Sequence, residues 1–421
     1  MIPKRYKICD DVYFRNIKTD KFKTGRISIT MFIPLNKSTV IPDILFAQII
    51  TRSCAKYPDY ISFNRRLNEM YGASLSAFTR KVGESIGVTI SVSGLDNRFI
   101  LDNEEISREL TELLCEVLFR PKIIDGAFSS DDFEQERREL LESIYAQKNE
   151  KRSLALSRCI QIMCKNELYG VSKYNSLEAA QKVTSKNVCE AWRRALTTAK
   201  TDIISVGMFN EKEIFNAFQN EFLKLERKTC ELSTLVIGKA DKITEVSEID
   251  DVTQAKLVMG FRTPIVEPDF DITAMRLAIA LLGEVQNSKL FINVREKQSL
   301  CYYCVARYMK NKGIVLIDSG VEEKNIGKIK EEILRQIELM KNGDISQEEL
   351  EAAKLDVINN YRSTSDSVGG MEYWFVSQLC DKETMSVGQA CDKILSVSKE
   401  DIVKAISTLS LDTVFVLKKG E

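Results

Sequence analysis

The sequence contains no histidine. Without an imidazole, the chain alone cannot form a Ser-His-Asp or Cys-His catalytic arrangement, nor the paired histidines of an H-E-x-x-H zinc site. It also lacks the G-x-x-x-x-G-K-[ST] and G-x-G-x-x-G patterns that hold nucleotide phosphates. Carboxylate or lysine chemistry would remain, but no spacing singles out a candidate pair. We therefore expect the isolated chain to catalyse no familiar reaction and to hold no metal or cofactor.

The sequence also lacks an excess of either charge and any long apolar run. Its 60 basic and 61 acidic residues give a net charge of −1, which leaves no electrostatic footprint for nucleic acid or a membrane surface. No stretch approaches the roughly 18 apolar residues that cross a bilayer. The opening MIPKRYKICDDVYF lacks the apolar core of a signal peptide. We expect a cytoplasmic globular protein of two or three domains, without nucleic-acid or membrane partners.

The eleven cysteines form no repeating framework, which favours reduced and mostly buried thiols over a disulfide scaffold. Cys301 and Cys304 match the C-x-x-C pattern, but they lie in Tyr-rich, strand-like sequence. In a regular strand, positions i and i+3 point to opposite faces. No second C-x-x-C completes a zinc site. We therefore predict that both are core thiols.

The chain is built from two similar halves. An extended, β-rich run at residues 25–36 has a counterpart at 255–264, and GVTISVSGLDNRF from Gly87 is echoed by GIVLIDSGVEEKN from Gly313. Each Ser-Gly strand end is followed by a polar turn and an amphipathic helix with apolar residues at i, i+3, i+4 and i+7. This repeated order predicts an internal duplication.

The order strand, strand, helix, helix, helix, strand continues to the end of both halves. The later matches pair SSDDFEQERRELLESI with SQEELEAAKLDVI, TSKNVCEAWRRAL with VSKEDIVKAISTL, and IISVG with VFVLK. We predict one domain at residues 1–224 and another at 253–421. The polar segment at 225–252 is predicted to be a linker with a strand inside it. Because the interleaved strands need not be parallel, the predicted class is α+β.

The segment LFINVREKQSLCY, residues 290–302, resembles the second-domain pattern L-F-x-x-x-R-E-K-x-x-L-x-Y of the M16 peptidases. That family includes the insulin-degrading enzymes, pitrilysin and the mitochondrial processing peptidase. Arg295 stands at the family's arginine and Tyr302 at its tyrosine. Residues 56–79 are similar to the segment that follows the family's zinc helix. The resemblance covers nearly the whole chain and implies two homologous M16-type α/β-sandwich domains.

The resemblance also implies where a zinc site would stand. The family binds zinc through an H-x-x-E-H motif and a distal Glu, and the Glu inside the motif acts as general base. The alignment places the two histidine positions at Ile44 and Gln48 and the base at Ala47. In ERRELLESI, the distal ligand position is Ser143. All four residues are unable to do this chemistry, so the resemblance implies a chain that is no self-sufficient zinc peptidase.

In the family, the counterparts of Arg295 and Tyr302 hold the substrate carbonyl and stabilise the oxyanion. Some M16 enzymes divide the work between a histidine-bearing chain and a degenerate one, and this sequence resembles the histidine-free member of a paired set in Gram-positive bacteria. The resemblance implies that Arg295 and Tyr302 act in trans on a partner that carries H-x-x-E-H and the zinc. The expected assembly is a heterodimer that binds and cleaves peptides.

A further implication is that the edge strand of the first domain binds peptide through its backbone. The residues aligned with that strand are Ala73, Ser74, Leu75, Ser76, Ala77, Phe78 and Thr79. The family often has Asn-Ala-x-Thr there, and this chain has Ser-Ala-Phe-Thr. Backbone pairing needs no particular side chain, so the strand remains a candidate.

A second hypothesis stays open beside this one. Arg295 could belong to a solvated helix end and Tyr302 could pack a strand, in a non-catalytic scaffold or a peptide-binding homodimer. Burial of both side chains against their own chain would favour the scaffold, and exposure would favour the complementing role.

Overall fold

The structure is a computed structural model that describes residues 2–101, 104–173, 176–267, 271–379, 381 and 383–420. Strands and helices interleave along the chain. The strands are β1 (Arg5–Cys9), β2 (Val12–Ile17), β3 (Thr24–Pro34), β4 (Ser74–Val82), β5 (Ser85–Leu95), β6 (Ile123–Ile124), β7 (Ala127–Phe128), β8 (Lys200–Val206), β9 (Thr244–Ile249), β10 (Ala255–Arg262), β11 (Cys301–Met309), β12 (Ile314–Val321) and β13 (Ser410–Lys418).

The helices lie between these strands. They are α1 (Val40–Ile49), α2 (Tyr60–Glu69), α3 (Ile106–Phe119), α4 (Ser130–Gln147), α5 (Lys151–Met163), α6 (Leu177–Lys182), α7 (Ser185–Thr198), α8 (Glu211–Phe222), α9 (Ile272–Ile279), α10 (Ile326–Lys341), α11 (Gln347–Ser363), α12 (Val368–Val376), α13 (Val387–Ser396) and α14 (Lys399–Ser407). Two short π-helical segments, Ala280–Glu284 and Phe291–Glu296, precede β11. No helix in the described ranges combines the length and apolarity that a membrane crossing requires.

The chain divides into two compact units. The first unit comprises residues 1–144, 171–233 and 363–380, and the second comprises 145–170, 234–362 and 381–421. Residues 145–170, from the first half of the sequence, thus belong to the second unit, and residues 363–380 belong to the first. The predicted linker at 225–252 contains β9, which pairs in parallel with β13 in the second unit's sheet.

The first unit is built on a six-stranded sheet in the order β1-β2-β8-β3-β5-β4. One face carries the main apolar core, which is filled by α1, α3, α7 and α8. The other face is covered by α12, whose Phe375 and Val376 pack against Ile17, Ile204 and Val206. Both faces of the central strands are therefore buried, and β4 lies at one edge of the sheet.

The second unit repeats this plan with a five-stranded sheet in the order β11-β12-β10-β13-β9. Helices α9, α10, α11 and α14 fill the core on one face. Helix α5 packs on the other face through Ala155, Cys159 and Met163. A sheet that is apolar on both faces needs a covering layer on each face. Helix α12 supplies the second layer in the first unit, and α5 supplies it in the second unit. Here β11 holds the edge position that β4 holds in the first unit.

The end of α5 is fixed by buried charges. Arg262, 2% exposed, donates to the carboxylates of Glu167 at 2.7 Å and Asp412 at 2.7 Å. Lys312, fully buried, pairs with Glu167 at 2.6 Å. These hydrogen bonds and the opposite charges hold the pKa of Glu167 below its usual value although burial acts to raise it. The network ties β10 to the turn that follows α5.

Candidate functional site

Helix α1 carries three of the four positions predicted for the degenerate zinc site. Ile44, Ala47 and Gln48 are spaced so that they share one face of the helix. Ile44 is 8% exposed and Ala47 is fully buried, whereas Gln48 is half-buried. Neither aliphatic side chain has an atom that can bind a metal or take a proton. Ile44 and Ala47 therefore pack in the apolar core.

Gln48 joins α1 to the edge strand β4. Its Nε2 atom donates to the carbonyl oxygen of Ala77 at 3.3 Å. In an antiparallel pair, the backbone groups of successive residues face the partner strand and away from it in turn. The Ala77 carbonyl oxygen is bonded to Gln48 of α1 and so faces away from β5. Because the orientation repeats every second residue, the backbone groups of Leu75 and Thr79 also face away from β5. Three residues of the predicted peptide-binding strand thus direct backbone groups toward the open edge of the sheet. One of these acceptors, the Ala77 carbonyl oxygen, is already bonded to Gln48.

The seven predicted peptide-binding residues differ in exposure. Ala73 is 6% exposed, and its N–H donates to the carbonyl oxygen of Leu67 at 2.9 Å. Along β4 the side chains alternate between the two faces of the sheet. The exposed set is Ser74, Ser76 and Phe78, and the half-buried set is Leu75, Ala77 and Thr79.

Ser143, the fourth zinc-site position, lies near the end of α4. Its hydroxyl donates to the Leu140 carbonyl oxygen of the same helix at 2.7 Å. The start of α4 is attached to the segment after α1, because Arg52 donates to Glu136 at 3.0 Å and Ser53 donates to Asp132 at 2.6 Å. Burial raises the pKa of Glu136, which the hydrogen bond from Arg52 partly offsets. These contacts fix where α4 begins relative to α1.

Asp43 is a charged member of α1 that the sequence reasoning did not single out. It is 1% exposed and its carboxylate pairs with Arg194 of α7. Burial raises its pKa to about 6, against the lowering effect of Arg194. The signal was present in VIPDILFAQI, where Asp43 is the one ionisable residue of a mostly apolar helix.

Replacing Asp43 with asparagine should change how stability depends on pH. The folded chain holds the Asp43 proton more tightly than the unfolded chain, so this group favours folding most below about pH 4, and that contribution is lost as pH rises to about 6. The natural chain should lose about 3 kcal/mol of unfolding free energy over that window relative to Asp43→Asn. Urea unfolding of both proteins between those pH values measures the difference. Parallel stability curves would contradict the assignment.

Arg295 lies in the π-helical segment Phe291–Glu296 and points away from the core. Its side chain is 42% exposed. Its guanidinium stands 4.7 Å from the centre of the Phe291 ring and 3.6 Å from the Glu296 carboxylate, a neighbour that is itself 53% exposed. The wider helical turn is closed by Lys297, whose N–H donates to the carbonyl oxygen of Ile292 at 2.9 Å. Segments of this type occur frequently at functional sites.

Tyr302 lies on a second irregularity of the backbone. Its side chain is 68% exposed. The pairing of β11 with β12 shifts between Cys301 and Tyr303, so Tyr302 is the extra residue of a β-bulge. Just before it, Ser299 adopts a φ of 50°, in the left-handed region. Bulges redirect side chains and are over-represented beside active sites.

The same bulge overturns one prediction. Cys301 and Cys304 were expected to point to opposite faces, but the extra residue brings both into the helix-side core, at 8% and 4% exposure. Burial raises both thiol pKa values, which keeps them protonated. The prediction that they are core thiols is confirmed by their burial.

Comparison with known proteins identifies the family. The family model for the peptidase M16 inactive domain matches residues 182–356, which include Arg295 and Tyr302. The "probable inactive metalloprotease YmfF" of Bacillus subtilis is 31% identical over 408 residues, 96% of this chain and 95% of that protein. The chain belongs to the M16 peptidase family. The "zinc protease PqqE" of Helicobacter pylori is 24% identical over 222 residues, about half of each chain.

Several solved structures share the fold. A conserved protein from Enterococcus faecalis superposes with a TM-score of 0.91 at 23% identity, covering 99% of both chains. A protease from Helicobacter pylori gives 0.79 at 15% identity, covering 99% of this chain and 100% of that one. A peptidase M16 inactive domain from Pseudomonas fluorescens also gives 0.79, at 14% identity and with 100% and 99% coverage. These likenesses confirm the predicted two-domain α+β fold.

Membership of the M16 family confirms part of the functional prediction. The chain is an inactive, metalloprotease-like member that is not catalytic on its own, in agreement with its lack of histidine. The roles predicted for Arg295, Tyr302 and residues 73–79 stay predictions, as do the zinc-site positions on α1 and α4.

Proposed function

We propose that this chain is the zinc-free subunit of an M16-type zinc endopeptidase and that it supplies Arg295 and Tyr302 to a partner chain bearing H-x-x-E-H. The observation that carries the proposal is the exposure of both side chains on distorted backbone. Arg295 is 42% exposed on a π-helical segment, and Tyr302 is 68% exposed on a β-bulge. Backbone distortion costs free energy and persists only where the surrounding structure maintains it. The contacts of Arg295 with Phe291 and Glu296 lie within its own segment and leave its side chain open to an added substrate.

The chemistry of the two side chains fits this role. A guanidinium carries five N–H donors and a fixed positive charge, so Arg295 can bind both the substrate carbonyl and the oxyanion that replaces it. The Tyr302 hydroxyl is a neutral donor that can share the same oxygen. The partner would hold the zinc and the general base, which activate the attacking water. In this division of labour, the present chain needs neither a metal nor an imidazole.

The proposal also assigns residues 73–79 to peptide binding. An added strand would pair with the outward backbone groups of Leu75, Ala77 and Thr79. The 3.3 Å hydrogen bond from Gln48 to Ala77 competes for one of these acceptors. At that length the bond is weak, so an incoming peptide N–H can replace it. Affinity would come mainly from the backbone, and little sequence preference would arise at this strand.

A cytoplasmic, heterodimeric assembly completes the proposal. The ten cysteines that the structure describes are unpaired, which supports a reducing compartment.

Affinity purification of the tagged chain from its native cells, followed by mass spectrometry, tests the partner. We expect a stoichiometric chain of similar size that contains H-x-x-E-H, with zinc in the complex. Recovery of the chain alone or as a homodimer, without zinc, would contradict the proposal and favour the scaffold.

A further inference from the structure

A cluster of basic side chains lies beside the edge strand β11, on the face of the second unit's sheet that α5 covers. Lys256 comes from β10, Arg307 from β11 and Arg152 from the first turn of α5. The side chains of Arg152 and Arg307 are 39% and 40% exposed. Lys256 is half-buried. The three therefore line a surface that solvent reaches.

The cluster carries an excess of positive charge. Its one carboxylate is Asp318 of β12, 1% exposed. Asp318 accepts from Arg152 at 2.5 and 3.3 Å and from Arg307 at 2.5 Å. Lys256 donates instead to the neutral amide oxygen of Gln254, at 2.9 Å. Among the described residues, three cations thus share one anion.

The pKa of Lys256 agrees with this excess. Burial has the largest effect and lowers the pKa of Lys256, and the positive charge of the nearby Arg152 lowers it further. The attraction of Asp318 acts in the opposite direction and does not restore the usual value. An additional anion at this place would therefore be favoured by the charges already present.

Tyr303 forms the floor of the cluster. The Arg152 guanidinium lies 4.2 Å from the centre of the Tyr303 ring, and the Lys256 ammonium lies 5.8 Å from it. The ring fits because Gly320 has no side chain, since a Cβ there would stand 2.6 Å from both the Tyr303 ring and the Gln254 amide oxygen. The Tyr303 hydroxyl is buried and finds no partner in the described ranges. The floor thus offers an unused donor beside the cations.

The edge position of β11 indicates what the cluster would bind. A peptide that adds to β11 would place alternate side chains on the α5 face, about 5 Å from Tyr303 and Arg307. We propose that this cluster is a subsite for an acidic side chain of a peptide added to the β11 edge. Arg307 on β11 would lie beside that side chain, and Arg152 and Lys256, the latter on β10 two strands further into the sheet, would contribute positive charge from behind it. This inference rests on the proposed function and adds a substrate class to it. The expected substrates are peptides that carry an Asp or Glu next to the segment that reaches Tyr302.

A structural role explains only part of the cluster. The two arginines neutralise buried Asp318, and Arg152 thereby attaches α5 to the sheet. Lys256 does not donate to Asp318, so neutralising that carboxylate does not require it. Its position beside two other cations is unfavourable unless another anion binds there. Lys256 is therefore the residue whose replacement tests the subsite, and it spares the buried ion pairs.

The test measures binding to the full-length chain alone, by fluorescence anisotropy. The probe is a fluorescein-labelled peptide of alternating threonine and valine with one central aspartate, and its twin has asparagine at that place. We expect the natural chain to bind the aspartate peptide about tenfold more tightly. Lys256→Gln should reduce that ratio to about threefold or less. Lys404→Gln removes the same charge from a site 71% exposed on α14 and should leave the ratio unchanged.

Equal binding of the two peptides by the natural chain would overturn the subsite. An unchanged ratio in Lys256→Gln would also overturn it. Inorganic phosphate, added at constant ionic strength, separates a peptide carboxylate from a free anion. If phosphate displaces both peptides and the chain binds the two peptides equally well, the cluster binds a free anion, which would contradict the proposal. Because the assay needs no partner and no catalysis, its failure is distinguishable from failure of the trans-acting role of Arg295 and Tyr302.

Discussion

The variant Ile44→His/Gln48→His/Ser143→Glu should bind zinc, whereas the natural chain should not. Two histidines four residues apart on α1 can share one metal ion, and a distal Glu on α4 would supply the third ligand. The replaced side chains are of moderate size, and two of the three are half-buried, so the helices should tolerate the change. We expect a binding free energy of about −8 kcal/mol or stronger, roughly a micromolar Kd or tighter. Competition with a chromogenic zinc chelator measures it.

Two controls make this prediction specific. The double variant Ile44→His/Gln48→His lacks the distal ligand and should bind roughly tenfold more weakly or worse, since one ligand is worth at least 1.4 kcal/mol. Glu351→His/Leu355→His places the same four-residue spacing on the exposed face of α11, where no third ligand was added. Ala47 is left unchanged because it is fully buried, and a carboxylate there would be costly. A triple variant that binds no better than the α11 pair would contradict the assignment of the zinc positions.

Arg295→Ala should lower kcat/KM of the assembled peptidase by about 10²–10³, and Tyr302→Phe by roughly tenfold. Each removes a donor that acts on the oxyanion, so the larger part of the loss should appear in kcat. Both side chains are largely exposed, and surface replacements of this kind change stability by about 0.5 kcal/mol or less. Thermal unfolding and co-purification should therefore match the natural chain while peptide cleavage falls.

Two other exposed residues provide the controls for these two variants. Lys297→Ala removes another exposed cation close to Arg295, and Tyr373→Phe removes the hydroxyl of a tyrosine that is 58% exposed. Neither should reduce cleavage by more than about twofold, within the usual range for surface changes. Unchanged activity in both Arg295→Ala and Tyr302→Phe would exclude the trans-acting role and leave the structural scaffold.

The regular elements could be predicted from the sequence because their apolar spacing is strong. Each pair of matched segments corresponds to a pair of elements in the structure: β3 with β10, β5 with β12, α3 with α10, α4 with α11, α7 with α14, and β8 with β13. The motif around Arg295 could also be read, because the residues themselves carry it. The apolar periodicity of the segments was therefore sufficient to predict the fold class, and the motif around Arg295 was sufficient to predict the family.

The irregular features escaped prediction because each depends on partners remote in the chain. The bulge at Tyr302 appears only when β11 pairs with β12, and it reversed the face expected for Cys304. The packing of α5 and α12 depends on which sheet face needs a cover, a choice that local spacing does not encode. The cluster around Asp318 draws Arg152, Lys256 and Arg307 from three separate segments. Sequence spacing could not bring such residues together.

We propose that this chain completes an active site whose zinc lies in another chain. The most direct test of this proposal is cleavage of a fluorogenic peptide by the purified histidine-bearing partner while this chain is titrated in. We expect that neither chain cleaves alone, that activity rises to a plateau at equal molar amounts, and that the Arg295→Ala chain binds the partner but restores little activity. A partner that cleaves equally well alone and in the mixture would contradict it.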